Sequence, residues 1–103
     1  MPTSIEEALD SVSAIINTTH EAVENSLQGD LICMTDEVKE LSDVALCMLR
    51  DTGAAEVVRL IDILETVRRK DMYHLYKSLA QLRDVLVDEV EAIRQNVLHE
   101  ELE

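Results

Sequence analysis

Aromatic residues, glycine, proline and basic residues are all scarce in this chain. Among its 103 residues there are two tyrosines and no phenylalanine or tryptophan, so the core has to be built from aliphatic side chains. Strands favour aromatic and β-branched residues and are joined by tight turns, for which two glycines and one proline provide little. Apolar residues nevertheless make up 47 % of the chain, which argues against disorder throughout. The composition therefore predicts an all-α protein.

The sequence also lacks the residue patterns on which most catalytic and metal sites depend. It contains no glycine-rich phosphate loop and no nucleophile placed beside a general base. Helical di-iron sites need two Glu-x-x-His units and two further glutamates, whereas this chain offers Asp71 before His74 and His20 before Glu24. A small-molecule pocket usually has an aromatic lining, which is scarce here. We therefore expect no enzyme activity, no metal or other cofactor and no small-molecule substrate.

The cysteines and the polarity of the chain bear on its compartment. If Cys33 and Cys47 lie on one helix, their offset of 14 residues spans about 21 Å, which is too far for a disulfide. We interpret both as reduced residues at the edge of the core, as is typical of a reducing compartment. The N-terminal residues are acidic, and no apolar run approaches the roughly 18 residues of a membrane helix. These features predict a cytoplasmic protein without a membrane partner.

The charge of the chain is strongly negative and unevenly distributed. Its 22 acidic residues exceed its nine basic ones, which gives a net charge of −13. Such a field repels phosphate, so we expect no nucleic acid partner, whereas a basic or mixed-charge protein suits it. Five of the nine bases nevertheless fall within residues 68–83, where Asp71 is the single acid. This basic segment is therefore the first candidate for a binding surface.

The spacing of apolar residues in the first half of the chain predicts two helices. Ser4 and Glu7 form a capping-box pattern around Ile5, which starts an apolar series that recurs every three or four residues. A second series with the same spacing covers residues 31–48. Because Gly29 lies between the two series and suits a helix C-terminus, we predict a break or bend there. The spacing of apolar residues continues unchanged across Gly29, so one continuous helix through Gly29 is the alternative.

The second half of the chain carries an apolar series that is interrupted within the basic segment. It begins after a turn signal at Thr52-Gly53. Apolar residues recur every three or four positions, but Arg68 and Asp71 occupy two of these seam positions before leucines resume. Asp71 could cap a new helix at Met72, or one helix of about 47 residues and about 70 Å could run through these polar positions. Either way we predict one domain of residues 4–100, with helical segments at about 4–28, 30–50, 54–70 and 71–100.

The two halves are predicted to fold back on each other at Thr52-Gly53 as an antiparallel helical hairpin or bundle. Further apolar residues flank each apolar series, so the apolar face of each helix is too wide for a single pair of helices to bury. A four-helix bundle buries such faces, and it forms either within one chain or when two hairpins pair. We therefore expect a homo-oligomer.

Six residues of the basic segment are the candidate partner-binding residues, and we call them the basic collar. On a helical wheel Lys70, Tyr73 and Lys77 point away from the core direction that the leucines define. In an acidic protein such cations could contact carboxylates of a partner or of a second copy. The alternative, which we call local balance, is that these cations neutralise acidic residues on adjacent helices of the same chain. The basic collar comprises Arg68, Arg69, Lys70, Tyr73, Lys77 and Arg83.

The seven residues that start at His74 resemble the motif of histidine phosphotransfer proteins. That family carries an exposed histidine in an H-x-x-K-G pattern on a helical bundle, where the lysine stabilises the phosphate. Here His74 and Lys77 match in spacing, whereas Ser78 stands in place of the glycine that lets a response regulator approach. The resemblance implies that His74 is the phosphoacceptor.

Three functional hypotheses follow from these patterns. The leading one is a non-enzymatic protein–protein interaction module, a small acidic adaptor, regulator or chaperone-like helical bundle. It rests on the wide apolar stripes, the segregated charge and the absence of catalytic patterns. One alternative is a phosphotransfer protein that uses His74. The other is an acidic mimic that blocks a basic nucleic-acid-binding site, and its binding would collapse as the salt concentration rises.

Overall fold

Helices account for all regular secondary structure in the residues that the structure describes, which confirms the all-α prediction. The computed structural model of the chain describes residues 2–25 and 28–102, with side chains described for residues 2–25 and 30–97. A short 3-10 helix, η1 (Ala55–Val57), precedes the third α-helix. The α-helices are α1 (Ile5–Asn25), α2 (Gln28–Thr52), α3 (Val58–Arg69), α4 (Met72–Lys77) and α5 (Leu79–Leu102).

The start of α1 is held by the predicted cap and by a contact with the end of α2. The backbone N–H of Glu7 donates to Ser4 Oγ at 3.1 Å, and Ser4 Oγ donates to Glu7 Oε1 at 3.3 Å. The capping-box prediction is therefore confirmed. The N–H and the hydroxyl of Thr3 both donate to Asp51 Oδ2 at 2.7 Å, which brings the start of α1 to the end of α2. The two helices thus run in opposite directions.

Gly29 lies inside α2 and does not end the first helix. α1 ends at Asn25 and α2 begins at Gln28, and residues 26 and 27 lie outside the described part of the chain. Gly29 and Asp30 belong to the first turn of α2, so the prediction that Gly29 ends the first helix is wrong. The first backbone N–H groups of a helix have no intrahelical partner, so a glycine in that turn disturbs no regular hydrogen bond.

The turn after α2 is made by Thr52 and Gly53. Gly53 has a φ of +63°, in the left-handed region that favours glycine, and its N–H donates to the carbonyl of Arg50 at 3.2 Å. The hydroxyl oxygen of Thr52 accepts the N–H of Ala54 at 3.2 Å. A Cβ on Gly53 would meet no atom within 4 Å, so the backbone conformation alone requires glycine there.

In the second half of the chain a new helix begins at Met72, as the capping alternative predicts. Asp71 Oδ1 accepts the backbone N–H of His74 at 2.9 Å, as the N-cap residue of a helix does. Lys39 of α2 donates from Nζ to the carbonyl of Lys70, at the end of α3 where carbonyls lack intrahelical partners. The polar positions in the seam therefore mark a helix break.

A second break, which the sequence patterns do not predict, separates α4 from α5 at Ser78. The hydroxyl of Ser78 lies 3.0 Å from the carbonyl oxygen of His74 and 3.1 Å from that of Leu75. The N–H of Ser78 donates to the carbonyl of Leu75 at 3.0 Å, three residues back instead of four. Serine competes with regular helix bonding in this way, and α4 is only six residues long.

Contacts between the helices show how they run along the molecule, which measures 48 × 22 × 18 Å. Arg94 of α5 lies 3.0 Å from Glu6, and Arg83 of α5 lies 3.3 Å from Glu24, so α5 runs antiparallel to α1. α1 packs against α2 and α5, while α2 packs against α1, α3 and α4. The end of α5 that carries Arg83 therefore lies beside the C-terminal end of α1.

The core is aliphatic, as the composition predicts, and every helix contributes to it. Three hydroxyl residues are also buried, and the hydroxyls of Thr19, Thr35 and Ser42 each donate to a carbonyl of the preceding turn. Neither tyrosine belongs to the core. The largest fully buried side chains are those of Leu9, Val12, Ile15, Val38, Leu46, Leu49, Val57, Leu60, Leu64, Leu75, Leu79 and Leu86.

Both cysteines lie on the solvent side of α2. Cys33 and Cys47 are free, which confirms that they form no disulfide with each other. Both are exposed, so their predicted place at the edge of the core is wrong. α2 packs against α1 on one side and against α3 and α4 on another, which leaves the side with the cysteines and Val44 in water.

Candidate interaction surface

The basic collar is divided among three helices and the break between two of them. Arg68 and Arg69 end α3, Lys70 follows it, Tyr73 and Lys77 lie on α4, and Arg83 lies on α5. The helix break at Asp71 therefore decides which of these side chains share a surface. They fall into two groups, according to whether an acid of the same chain neutralises them.

Two arginines of the basic collar form ion pairs within the chain. Arg68 Nε lies 2.6 Å from Asp43 Oδ1 on α2. Arg83 Nη1 lies 3.3 Å from Glu24 Oε1 on α1 and 3.4 Å from Nδ1 of His20. Both arginines match the local-balance interpretation of the basic segment. They join neighbouring helices and leave little charge for a partner.

The other three cations of the basic collar face solvent. Arg69 Nε donates to a carbonyl of its own helix at 3.3 Å, and Lys70 Nζ lies 3.4 Å from Ser78 Oγ. Lys77 Nζ lies 4.6 Å from the centre of the Tyr73 ring, within the range of a cation–π interaction. Among the side chains that the structure describes, no Asp or Glu forms an ion pair with any of these three. Their charge is free for a partner.

Both tyrosines of the chain lie on α4, where Tyr73 is exposed and Tyr76 is half-buried. The ring centres of Tyr73 and Tyr76 are 6.2 Å apart, and Tyr73 meets the ring of His74 edge to face at 5.6 Å. Tyr73 is 59 % exposed. A tyrosine usually contributes its large apolar area to a core or an interface, so this pair is a candidate contact surface.

An apolar groove of about 340 Å³ lies between α2 and α4, and we call it the tyrosine groove. It is lined by both tyrosines, by Met72 and by Ile32, which is 61 % exposed. Buried Thr35 completes the lining, and its hydroxyl already donates to a carbonyl of its own helix at 2.6 Å. The groove therefore offers apolar surface to an incoming side chain and has no charged lining residue.

Sequence reasoning finds only part of this surface. It predicts that Tyr73 points away from the core, and the exposure of Tyr73 confirms that. It misses Ile32, which stands on another helix, and so it misses the groove. The sequence does contain a signal for Ile32. It follows Leu31 directly, so it lies outside the apolar face of an otherwise acidic helix, where a large apolar side chain is unexpected.

A second groove, of about 290 Å³, lies between α3 and α5, and we call it the α3–α5 groove. Most of its lining is apolar, and Val85 on its wall is 41 % exposed. Lys70 brings a cation to the lining. The lining residues are Ile63, Thr66, Val67, Lys70, Leu75, Ser78, Gln81, Leu82 and Val85.

His74, the candidate phosphoacceptor, is exposed on α4 with its ring bound to Asp71. Its Nδ1 lies 2.8 and 2.7 Å from the two carboxylate oxygens of Asp71. Hydrogen bonds from the backbone N–H of His74 and then from its ring hold the pKa of the Asp71 carboxyl below its ordinary value. When Nδ1 donates to this carboxylate, Nε2 is left as the basic ring nitrogen.

Two further kinds of site receive no support within the described residues. No group of three or more His, Cys, Asp or Glu side chains among them is arranged to hold a metal ion. Within the same residues, no helix combines the length and the apolar character that crossing a membrane requires. The chemistry of the surface is thus that of the tyrosine groove, the free cations and His74.

Comparisons of the chain with protein-family models, with curated proteins and with solved structures found no match. The two grooves and the uneven charge of the chain are the features from which a function can be inferred.

Proposed function

We propose that this chain is a non-enzymatic protein–protein interaction module, a small acidic adaptor, regulator or chaperone-like bundle that binds its partner in the tyrosine groove. One observation carries the proposal: both tyrosines and the largely exposed Ile32 line the same surface groove. Contiguous exposed apolar side chains are typical of interaction sites, and tyrosine is enriched among residues that dominate binding energy. Binding explains this arrangement better than stability does.

The unit that we propose is an antiparallel four-helix bundle in which α3 and α4 together form the third helix. The opposite course of α1 and α5 supports it, as does the contact at 3.4 Å between Arg59 of α3 and Glu89 of α5. Bundles that bind cofactors in their core place polar side chains there, whereas this core is aliphatic. The proposal therefore assigns binding to the outer surface.

The partner that fits this surface is a mixed-charge protein segment with an apolar anchor. The anchor would enter the tyrosine groove, where burial is worth about 25 cal/mol per Å² of apolar surface. Carboxylates beside the anchor would meet Lys77, which stands over Tyr73 without an ion pair among the described side chains. Basic residues on the other flank would meet exposed Asp36, one turn beyond Ile32 on α2.

The test begins with a partner captured from the native host and then prepared as a pure protein. Its dissociation constant is measured by calorimetry for wild type, for Tyr73→Ala and for Ile32→Asp. We expect both variants to weaken binding at least tenfold, about 1.4 kcal/mol. Val44→Asp is the matched control, because Val44 is 55 % exposed on the same helix but does not line the groove.

The outcome of this comparison separates the hypotheses. Equal losses for Ile32→Asp and Val44→Asp, or no loss for Tyr73→Ala, would remove the tyrosine groove as the binding site. A basic partner that binds all three variants as it binds wild type, but is released by salt, would support the acidic mimic instead. Helix content from circular dichroism should be the same for all variants, since the three positions lie outside the core.

A second candidate function is phosphotransfer at His74, and the contact between Nδ1 and Asp71 favours it. In that reaction the lone pair of His74 Nε2 attacks the phosphorus of a phosphorylated donor, and the donor group leaves with the electron pair of its bond to phosphorus. Asp71 would hold the Nδ1 proton throughout. Incubation with phosphorylated histidine kinases should then give an acid-labile phosphate that His74→Gln lacks. No labelling with several kinases would remove this candidate.

A further inference from the structure

The side of the molecule that α3 and α5 form has an exposed apolar centre. Val85 on the α5 wall is 41 % exposed, and Ile63 on the α3 wall is half-buried. The α3–α5 groove runs between them, with Thr66 and Gln81 as uncharged polar lining. We call this side the α3–α5 face, and it comprises the α3–α5 groove together with Glu56, Arg59, Lys77, Asp88 and Glu89.

One end of the α3–α5 face is positively charged. Lys70 Nζ lies 3.4 Å from Ser78 Oγ, and Lys77 Nζ lies 4.6 Å from the centre of the Tyr73 ring. Both lysines are exposed, and neither forms an ion pair with a carboxylate of the described side chains. This end therefore presents two unneutralised cations.

The opposite end of the α3–α5 face is negatively charged. Arg59 Nε lies 3.4 Å from Glu89 Oε1, so these two groups neutralise each other. Glu56 and Asp88 flank them, are exposed, and have no ion pair within the described part of the chain. Because Arg59 and Lys70 are 11 residues apart, the two ends lie about 16 Å apart along α3.

We infer that the α3–α5 face binds the same face of a second copy of this chain, in a two-fold symmetric dimer. A two-fold axis through the middle of the face sets the lysine end of each copy against the acidic end of the other. The apolar centres of both copies then cover each other and leave water. Asp84, close to the middle, is already paired with Arg83 of its own chain at 3.3 Å.

The occupant is a second copy because the face is complementary to itself. In the two-fold arrangement, the two cations at one end of each copy meet the two carboxylates at the opposite end of the other copy, so the charges match in number. The molecule is 48 Å long and 22 Å wide, which leaves room for the roughly 800 Å² that each partner buries in a standard interface. A foreign helix would need its own charges at the same spacing.

The high net charge of each copy does not prevent this pairing at physiological salt. Each chain carries −13, and two such chains repel each other at long range. At 0.15 M salt the Debye length is about 8 Å, so charges elsewhere on a rod 48 Å long contribute little, while the paired ends remain in contact. The inference goes beyond the proposed function, since the two grooves share no lining residue and the dimer does not require a partner in the tyrosine groove. Lys77 is the one cation that both proposals use.

A charge-swap experiment tests the dimer. We expect wild type to form a dimer at micromolar concentration, with twice the 11.6 kDa of the monomer by sedimentation equilibrium. Lys70→Glu/Lys77→Glu sets acids against acids, and Glu56→Lys/Asp88→Lys sets lysines against lysines, so each variant alone should associate at least tenfold more weakly. An equimolar mixture restores both attractive contacts and should form a heterodimer.

Two single substitutions test the apolar centre of the face. Val85→Asp should weaken the dimer at least tenfold, because it places a carboxylate in that centre. Val44→Asp, on the exposed side of α2, should leave the dimer unchanged, and so should Ile32→Asp in the tyrosine groove. The last variant separates this inference from the proposed function, because it disables the one surface and spares the other.

Three results would each overturn the inference. The first is a wild-type mass that stays at 11.6 kDa up to about 100 μM, a concentration at which a dimer with a micromolar dissociation constant is largely formed. The second is a pair of charge variants that associate as tightly as wild type, or a mixture that does not recover association. The third is a dimer that Val44→Asp weakens as much as Val85→Asp.

Discussion

Asp71 directs the course of the second half of the chain through a single carboxylate. Its side chain accepts the backbone N–H of His74, so α4 begins at Met72 as a helix separate from α3. The same carboxylate holds the ring of His74 at 2.7 Å. One residue thus caps a helix, orients the candidate phosphoacceptor and presents Tyr73 at the surface.

The cap of α4 predicts how stability depends on pH. The pKa of Asp71 is lowered in the folded chain, chiefly by the backbone N–H of His74. A group with a lowered folded pKa stabilises the fold above its unfolded pKa, and this contribution is lost as the pH falls through the folded pKa. Asp71→Ala should therefore lower the Tm by a few degrees at pH 7 and by much less at about pH 2.

Thermal unfolding followed by circular dichroism measures both differences. Asp71→Asn is the control, because asparagine also caps helices but does not titrate. Its stability at neutral pH should stay near that of wild type. A Tm difference between wild type and Asp71→Ala that is the same at both pH values would contradict the role of the charged carboxylate.

Gly53 is the other single residue on which the fold depends. Its φ of +63° is unfavourable for residues with a Cβ, by roughly 1–2 kcal/mol, while the space around it is open. Gly53→Ala should therefore lower the Tm by about 4 °C or more, through the backbone alone. Gly53→Asn should cost less, because asparagine tolerates this conformation better. Equal melting temperatures for wild type and both variants would show that the turn relaxes to another conformation.

At the scale of elements, α4 is a short helix held mainly by Leu75. It has six residues, fewer than an isolated helix needs for stability, and Leu75 is its one buried residue. Leu75 is 1 % exposed and packs into the aliphatic core. Both grooves have walls that belong to α4, so the candidate surface depends on that anchor.

Truncation of the anchor should release α4 before the rest of the fold. Leu75→Ala is expected to cost about 2–5 kcal/mol, because it leaves a cavity in the core. Amide hydrogen exchange should then accelerate in residues 72–77 more than in α1 or α2. Leu86→Ala, at a fully buried position in α5, is the matched control and should destabilise the molecule without this local effect. Uniform acceleration in the Leu75→Ala variant would contradict the anchoring role.

At the scale of the whole molecule, the basic collar should matter for association and little for the fold. Arg69, Lys70 and Lys77 form no ion pair among the described side chains, and exposed pairs are worth only about 0–1 kcal/mol in any case. The combined change of Arg69, Lys70 and Lys77 to Glu should leave the helix content unchanged. Association should weaken by at least tenfold, about 1.4 kcal/mol.

Salt provides an independent check on the same charges. Raising the salt concentration from 0.1 M to 1 M shortens the Debye length from about 10 Å to about 3 Å, which screens the contacts at both ends of the α3–α5 face. Sedimentation equilibrium should show that the wild-type complex weakens over this range. If salt has no effect and the triple variant associates like wild type, the basic collar is ordinary solvated surface.

The candidate site could be predicted in part because some of its residues are encoded locally. The position of Tyr73 opposite Leu75 on α4 follows from helical periodicity, and so does its exposure. The ion pairs of Arg68 and Arg83 could not be assigned, because their acids lie 25 and 59 residues away in sequence. Ile32 was missed for the same reason, since a groove between α2 and α4 exists only once the helices pack.

The sequence by itself determined the helical class, the aliphatic core, the cap at Ser4 and the turn at Gly53. Each of these depends on composition, on a period of 3.6 residues or on hydrogen bonds between residues a few positions apart. The tertiary structure decided the pairing of collar arginines with acids of α1 and α2, and the two grooves. These features depend on which helix surfaces meet, and that is set by the packing of the whole core, which local periodicity does not specify.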